Sequence, residues 1–207
     1  MYWKKVRSNS SLWLEWNGWE GVKGYFSTRV GKLSDFYHNI SRGEPENPIA
    51  YLRQTHSDKI CVVSSPGEYD GDGLATDNPE VVLRVKVADC LAIYIYDPIH
   101  DAICLLHAGK RGTEKKILEK GIICLEDTYD SVPSTLCVLF SPSICPNCFE
   151  MDLWSENEEQ ARSMGVKDMS NFRICTYENP ELFYSCRRDR CKERMHAVLW
   201  LQPLTNV

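Results

Sequence analysis

The run Val81-Val82-Leu83-Arg84-Val85-Lys86-Val87 is followed by Ala88-Asp89-Cys90, by Leu91-Ala92-Ile93-Tyr94-Ile95-Tyr96-Asp97 and, after Pro98-Ile99-His100-Asp101, by Ala102-Ile103-Cys104-Leu105-Leu106-His107. It reads as three strands in succession. The first alternates apolar and polar residues over its second half, as a strand with one covered and one wetter face does. Leu91–Tyr96 and Ala102–Leu106 are continuous apolar runs rich in branched and aromatic residues, the pattern of strands buried on both faces. Asp97-Pro98 and the residues around His100 supply the turn between them. A layered core with something packed on each side of a sheet follows.

Outward from this centre, Gly24–Arg29 and Lys59–Ser64 read as further strands, with Pro66-Gly67 as punctuation. A helix is expected to open at Thr113, because Ile117, Leu118, Ile122 and Leu125 fall on one face, with Gly121 as a weak point in it. A second helix is expected from Ser155, whose spacing to Glu158 is that of a capping box, to Met164-Gly165. Strands return at Phe172–Thr176 and Met195–Leu201. The order predicts an α/β fold of the mixed α+β kind, a single layered domain over residues 1–207 with central mixed sheets flanked by helices. No repeat, low-complexity tract or Gly/Ser linker divides it. Trp3, Trp13, Trp16 and Trp19 are expected to pack in the core or at an edge, or to form a wall for a flat ligand.

The 207 residues are 43% hydrophobic and 26% charged with a net charge of −5, so the chain lacks the basic surplus that marks a nucleic-acid or anionic-membrane surface. Leu91–Tyr96, among its longest apolar stretches, is far short of the about 20 residues a spanning helix needs. Polar Arg7-Ser8-Asn9-Ser10-Ser11 stands where a secretory signal would be apolar, so a cytoplasmic location is expected. The ten cysteines accordingly read as reduced thiols. Cys61, Cys104, Cys124, Cys137 and Cys175 sit in apolar or alternating runs and read as small buried hydrophobes.

Chemistry concentrates at strand ends. His56 in Gln54-Thr55-His56, Cys90 in Ala88-Asp89-Cys90 and His107 in His107-Ala108-Gly109 are three donors of the type zinc or copper accepts, and three protein ligands leave a position open. Each alone also reads as an ordinary strand-end residue. Asp89 is either a carboxylate that orients a ligand or takes a proton, or a turn residue. Gly109-Lys110-Arg111-Gly112-Thr113 places a glycine turn at a helix start with two cations, welcome to an anion such as phosphate and equally consistent with a structural turn. Phe183-Tyr184-Ser185-Cys186-Arg187-Arg188 sets guanidinium groups against aromatics, suited to phosphate or carboxylate or to a solvated loop. Cys145-Pro146-Asn147-Cys148 is a lone Cys-x-x-Cys, either redox-active or half of a metal knuckle.

Taken in order, Ser27-Thr28-Arg29, Gln54-Thr55-His56, Asp72-Gly73-Leu74-Ala75-Thr76, Val87-Ala88-Asp89-Cys90, His107-Ala108-Gly109-Lys110-Arg111-Gly112-Thr113 and Phe183-Tyr184-Ser185-Cys186-Arg187-Arg188-Asp189 resemble the YfiH-like family of laccase-domain proteins. The resemblance spans about residues 24 to 190. It implies zinc, with copper as the other candidate, held by His56, Cys90 and His107. Cys90, His107 and Asp89 then act in catalysis, and Arg29, Gln54, Gly109, Lys110, Arg111, Arg187 and Arg188 contact substrate or phosphate. The implied activities are phosphorolysis of adenosine, inosine, guanosine and methylthioadenosine, a transferase reaction, and hydrolytic deamination of adenosine. The family's older label implies a copper-dependent polyphenol oxidase, and its fold is also likened to Cys-His hydrolases, including enzymes that edit cell-wall precursors. A metal-binding module without activity is a further alternative. This chain departs from the family pattern at Lys110, where Trp is usual, at Cys186 and Ser141, and in a shortened 40–51 segment.

Overall fold

The computed structural model describes residues 2–8, 10–40 and 48–202, so most of the shortened 40–51 segment lies outside the described residues. In chain order the elements are β1 (Trp3–Ser8), β2 (Ser11–Trp16), β3 (Val22–Ser27), α1 (Leu33–Ile40), β4 (Ile49–Arg53), β5 (Ile60–Val62), β6 (Gly67–Asp70), β7 (Gly73–Thr76), β8 (Val82–Val87), β9 (Leu91–Asp97) and β10 (Ala102–Ala108). There follow α2 (Lys110–Glu114), α3 (Ile117–Tyr129), β11 (Cys137–Phe140), α4 (Leu153–Ser163), β12 (Asp168–Ser170), α5 (Cys186–Asp189) and β13 (Met195–Leu201).

Two mixed sheets result. One runs β1-β2-β3-β13-β8-β4-β6 and the other β12-β11-β9-β10-β7-β5. The pairings β8 to β4, β4 to β6, β7 to β5 and β11 to β12 are parallel and the rest antiparallel. Alternation along each strand assigns the layers. On β9, Ala92, Tyr94 and Tyr96 face the core between the sheets, while Leu91, Ile93 and Ile95 face a second core under α3 and α4. On β13, Met195, Ala197, Leu199 and Leu201 enter the inter-sheet core, and Val198 and Trp200 pack with Phe36 and Ile40 of α1 on the far side. The layers are therefore α1, sheet, sheet, and helices, which is why β9 and β10 are buried over their whole length and why their sequence is apolar without alternation.

β9 and β13 coincide with the expected strands, and the other central strands differ from expectation by a few terminal residues. Three expectations are corrected. Phe172–Thr176 is not a strand; β12 lies earlier, and only Cys175 makes an isolated bridge, to Ser143. The second helix is capped by Asp152, whose side chain accepts from Ser155 N, so Ser155 sits inside the first turn instead of at its start; its C-terminal end does fall at Gly165, with φ +91°. The first helix begins at Lys110 and breaks at Lys116, in the left-handed region at φ 62°, before α3 resumes. Trp3, Trp13 and Trp16 are core residues, and three-residue spacing on β2 sends Trp13 and Trp16 to opposite faces.

Candidate active site

Where β10 ends, where β9 begins, and where the chain turns from β4 toward β5, three side chains meet. His107 is the penultimate residue of β10, Cys90 immediately precedes β9, and His56 lies three residues beyond β4. One ligating atom from each lies within 4.8 Å of the other two. Cys90 Sγ is 4.0 Å from His56 Nε2, and the imidazoles of His56 and His107 are edge to face with centroids 4.8 Å apart.

The residue that builds this cluster is Asp72, a fully buried carboxylate just before β7. It accepts from His107 Nδ1 at 2.8 Å, which leaves Nε2 as the free nitrogen of that ring. It also accepts from the backbone of Thr55, His56 and Ser57 and from the Ser57 hydroxyl, fixing the loop that carries His56. Burial opposes its charge, but His107 and Ser57 more than offset that and hold the carboxyl well below the usual range. Asp72 stands in a motif visible in the sequence, but without a partner in view its role could not be read there. A second clamp is Gln54, whose amide donates to Lys86 O and accepts from Lys86 N, both at 2.8 Å, holding the loop to β8.

The electrostatics make one coupled pair. Burial pushes the Cys90 thiol up, yet hydrogen bonds from His107 and His56 bring it down to about 6. Burial likewise disfavours charge on His107, but Asp72 and Cys90 raise it to about 9. The pair therefore stands as a thiolate beside an imidazolium, and once that one proton is displaced a thiolate and a held imidazole are the donors a borderline-soft divalent cation meets best. Gly109 completes the cradle: a Cβ there would lie 2.8 Å from Cys90 Sγ and 3.2 Å from His56 Cδ2, in the space above the donors. The two imidazoles, the thiol, the carboxylate behind His107 and the bare glycine in front fit a metal with an open side.

Beside Cys90 opens a cavity of about 240 Å³ lined by Asp89, Cys90, Lys110, Ile144, Phe149, Leu153, Cys186 and Arg187. The Arg187 guanidinium lies 5.3 Å over the Phe149 ring, a flat wall. Asp89 accepts from Thr176 Oγ1, Ser185 Oγ and Arg187 N, so both its oxygens tie the C-terminal arm to this wall, and the carboxylate that orients a donor is Asp72 instead. Lys110 pairs with Glu150 at 2.5 Å across the rim. Arg111 is exposed on α2 and does not line the cavity. Arg188 donates to Thr176 O, Tyr177 O and Phe183 O, and Arg29 to Pro180 O and Asp189, so both brace the C-terminal arm and neither lines the cavity. The structure thus gathers Cys90, His107, His56, Asp89, Gly109, Lys110 and Arg187 at one place, and puts Gln54, Arg29 and Arg188 in bracing positions around it.

Residues 36–152 and 150–202 match the family described as multi-copper polyphenol oxidoreductase laccase. A Clostridium acetobutylicum protein named purine nucleoside phosphorylase is 30% identical over 194 residues, 88% of this chain and 80% of that one. Purine nucleoside phosphorylase YfiH of Escherichia coli is 25% identical over 90% of this chain and 97% of its own. The fold is that of crystal structures of YlmD from Geobacillus stearothermophilus (TM-score 0.84, 23% identity, 97% of this chain and 99% of that one) and of the hypothetical protein YfiH from Bacillus licheniformis (TM-score 0.81, 20% identity, 96% and 99%).

Proposed function

The chain belongs to the laccase-domain family of YfiH-type proteins, and from that premise we propose that it is a single-domain, zinc-dependent purine nucleoside phosphorylase that also deaminates adenosine and resides in the cytoplasm. The observation that carries this reading is the convergence of His56, Cys90 and His107 beside Gly109, with Cys90 also lining a cavity walled by Phe149 and Arg187. The ten free thiols suit a reducing compartment, and among the described residues no helix is long and apolar enough to cross a membrane.

His56 and His107 would hold the metal through ring nitrogens and Cys90 through its thiolate, the proton that the Cys90–His107 pair carries on His107 leaving to solvent on loading. Zinc, when bound, supplies a Lewis acid with an open position. Asp72 keeps His107 in the tautomer that ligates. The flat Phe149–Arg187 wall receives the purine, and Lys110 is the cation we assign to phosphate. In phosphorolysis a phosphate oxygen forms a bond to ribose C1′ while the C1′–N9 bond breaks, and the base departs with the electron pair and takes up a proton. Asp89, with both oxygens engaged, positions Arg187. In deamination water replaces the exocyclic amine, which leaves as ammonia. The tested substrates are adenosine, inosine, guanosine and methylthioadenosine; phosphate-dependent release of free base with an equimolar amount of the matching sugar 1-phosphate, the 5-methylthio sugar in the last case, supports the proposal, and no base release from any of them by zinc-loaded protein rejects it.

Multicopper oxidation lacks the ligands: of the five histidines in the chain, only His56 and His107 stand in a donor cluster among the described residues, while His196 faces Tyr37 and His100 faces Asp97. A second reading is favoured by one observation. Cys90 Sγ stands within 4.8 Å of a ring nitrogen of each of His56 and His107, the placement of a thiol nucleophile with its base. A metal-free Cys-His hydrolase would lose activity to iodoacetamide and be indifferent to added zinc; the zinc reading expects the metal to be required and to protect Cys90 from alkylation.

A further inference from the structure

A second cluster of donors includes Cys145 and Cys148, the chain neighbours of the cavity-lining Ile144 and Phe149. Cys145 and Cys148 flank the turn after β11, whose Cys148 N–H donates to Cys145 O at 3.0 Å. The chain meets them again at Cys175 and Glu178, and one donor atom from each of the four residues lies within 4.8 Å of the others. The lone Cys-x-x-Cys of the sequence therefore has its second half, with the same three-residue step, in Cys175-Thr176-Tyr177-Glu178. Cys175, expected to be only a small core residue, points its sulfur into the cluster and accepts from Cys145 N at 3.3 Å. Cys145 and Cys175 are buried, Cys148 half-buried and Glu178 exposed, and Cys148 Sγ stands 3.8 Å from Glu178 Oε1.

We propose that Cys145, Cys148, Cys175 and Glu178 form a second, structural zinc site, distinct from the His56–Cys90–His107 centre. Three sulfurs and a carboxylate oxygen are a complete four-coordinate set for zinc. Tetrahedral ligands at a Zn–S length of about 2.3 Å stand about 3.8 Å apart, so the cluster needs to close by no more than about 1 Å. Binding takes one proton from each of the three thiols and releases it to solvent, while Glu178 enters as the carboxylate. The Cys145 N–H bond to Cys175 Sγ supplies the backbone donor that steadies a buried thiolate.

The site joins two segments that build the cavity. Ile144 N–H donates to Asp89 O, Ser143 and Cys175 form a bridge, and Thr176 Oγ1 donates to Asp89. Zinc here would fix Ile144 and Phe149, both on the cavity wall, against the arm that carries Arg187. Its effect is to position the wall without touching the reacting atoms.

The test is metal content by elemental analysis of full-length protein purified under reducing conditions, in wild type, Cys90→Ala, Cys148→Ser and Glu178→Gln. We expect two zinc ions per chain in wild type, one in Cys90→Ala and one in Cys148→Ser. Glu178→Gln, an exposed change that leaves the core intact, should release one zinc to a chelator faster than wild type does. Cobalt loaded into Cys90→Ala should show the intense thiolate-to-cobalt absorption of a multi-thiolate site, and Cys148→Ser the weaker band of one thiolate. Absence of zinc and cobalt from Cys90→Ala, with unchanged metal content in the other two variants, overturns the site. So does a wild-type mass about 2 Da below the fully reduced value with no metal at the cluster, which would mean a disulfide. Loss of the first zinc alone would count against the active-site reading and leave this one standing.

Discussion

Replacing Asp72 by Asn keeps the side chain's size and changes its hydrogen-bonding sense, and the consequence can be worked out atom by atom. One carboxylate oxygen accepts from Thr55 N, Ser57 N and Ser57 Oγ, and the other from His56 N and His107 Nδ1. Every partner is a donor, so the Asn amide must turn its NH2 toward donors whichever way it is placed. Toward the first oxygen's position it confronts the N–H groups of Thr55 and Ser57, with only the Ser57 hydroxyl able to rotate and accept. Toward the second it confronts the His56 N–H and forces His107 to accept at Nδ1, which moves the ring proton to Nε2 and removes the ligating lone pair. Loss of charge-assisted bonds worth about 1.5–3 kcal/mol each, together with a buried donor left unpaired at about 1–3 kcal/mol, sets the destabilisation of the metal-free fold at about 3 kcal/mol. In a chain of this size that is a fall of roughly 6–12 °C in Tm. Zinc affinity at the first centre should fall about 10–100-fold, as it does when a carboxylate behind a ligating histidine is lost. The assay is zinc competition against a chromophoric chelator, with calorimetry of the metal-free protein alongside. Zinc affinity in Asp72→Asn within a factor of about two of wild type would refute the assignment of Asp72 as the group that sets the tautomer.

Gly109→Ala has no backbone penalty, its φ of −86° being one that any residue adopts, but its methyl would lie 2.8 Å from Cys90 Sγ and 3.2 Å from His56 Cδ2, so the donors must shift, stability should fall by about 1–3 kcal/mol and metal binding and turnover should fall together; full zinc binding in a folded Gly109→Ala would show that the space beside the donors is not needed. Gly121→Ala gains about 1 kcal/mol of helix propensity but presses a Cβ to 2.9 Å from Leu106, and overpacking at about 1–3 kcal/mol should win, so urea denaturation is expected to show net destabilisation. His196 is held neutral, pushed down to about 3 by burial with Arg84 and Lys86 nearby. Because the unfolded residue protonates near its ordinary value of 6.5, the stabilisation is complete above that pH and drains away as pH falls from 6.5 toward 3, by about 2 kcal/mol at pH 5; His196→Gln should flatten this part of the pH dependence of the urea midpoint, and an unchanged slope would contradict it.

The central strands were legible because a strand covered on both faces has nothing to conceal: β9 and β10 are apolar throughout, and that is also why they are buried throughout. β1 escaped notice for the opposite reason. It is an edge strand whose Lys4, Lys5 and Arg7 protect an open side, so its composition reads as polar chain. Gly121 looked like a weak point of the helix, whereas the structure shows it admitting Leu106 of β10 against α3. At the site, the donor types His56, Cys90 and His107 and the cation Arg187 were visible as residues. Gln54, Arg29 and Arg188 were visible too, but only the fold shows that their polar ends are taken up by backbone and by Asp189. Asp72 and Cys175 were in plain sight and unreadable, because their importance lies in contacts 35 and 30 residues away along the chain.

The measurement that bears most directly on the proposed activity is adenine release from adenosine by zinc-loaded protein, with and without phosphate, in wild type and Cys90→Ala, with zinc counted in the same samples. Phosphate-dependent release in wild type, abolished in Cys90→Ala together with loss of one zinc ion, is the predicted result. Release that persists in Cys90→Ala, or a fully zinc-loaded wild type that frees neither adenine nor hypoxanthine, would contradict it.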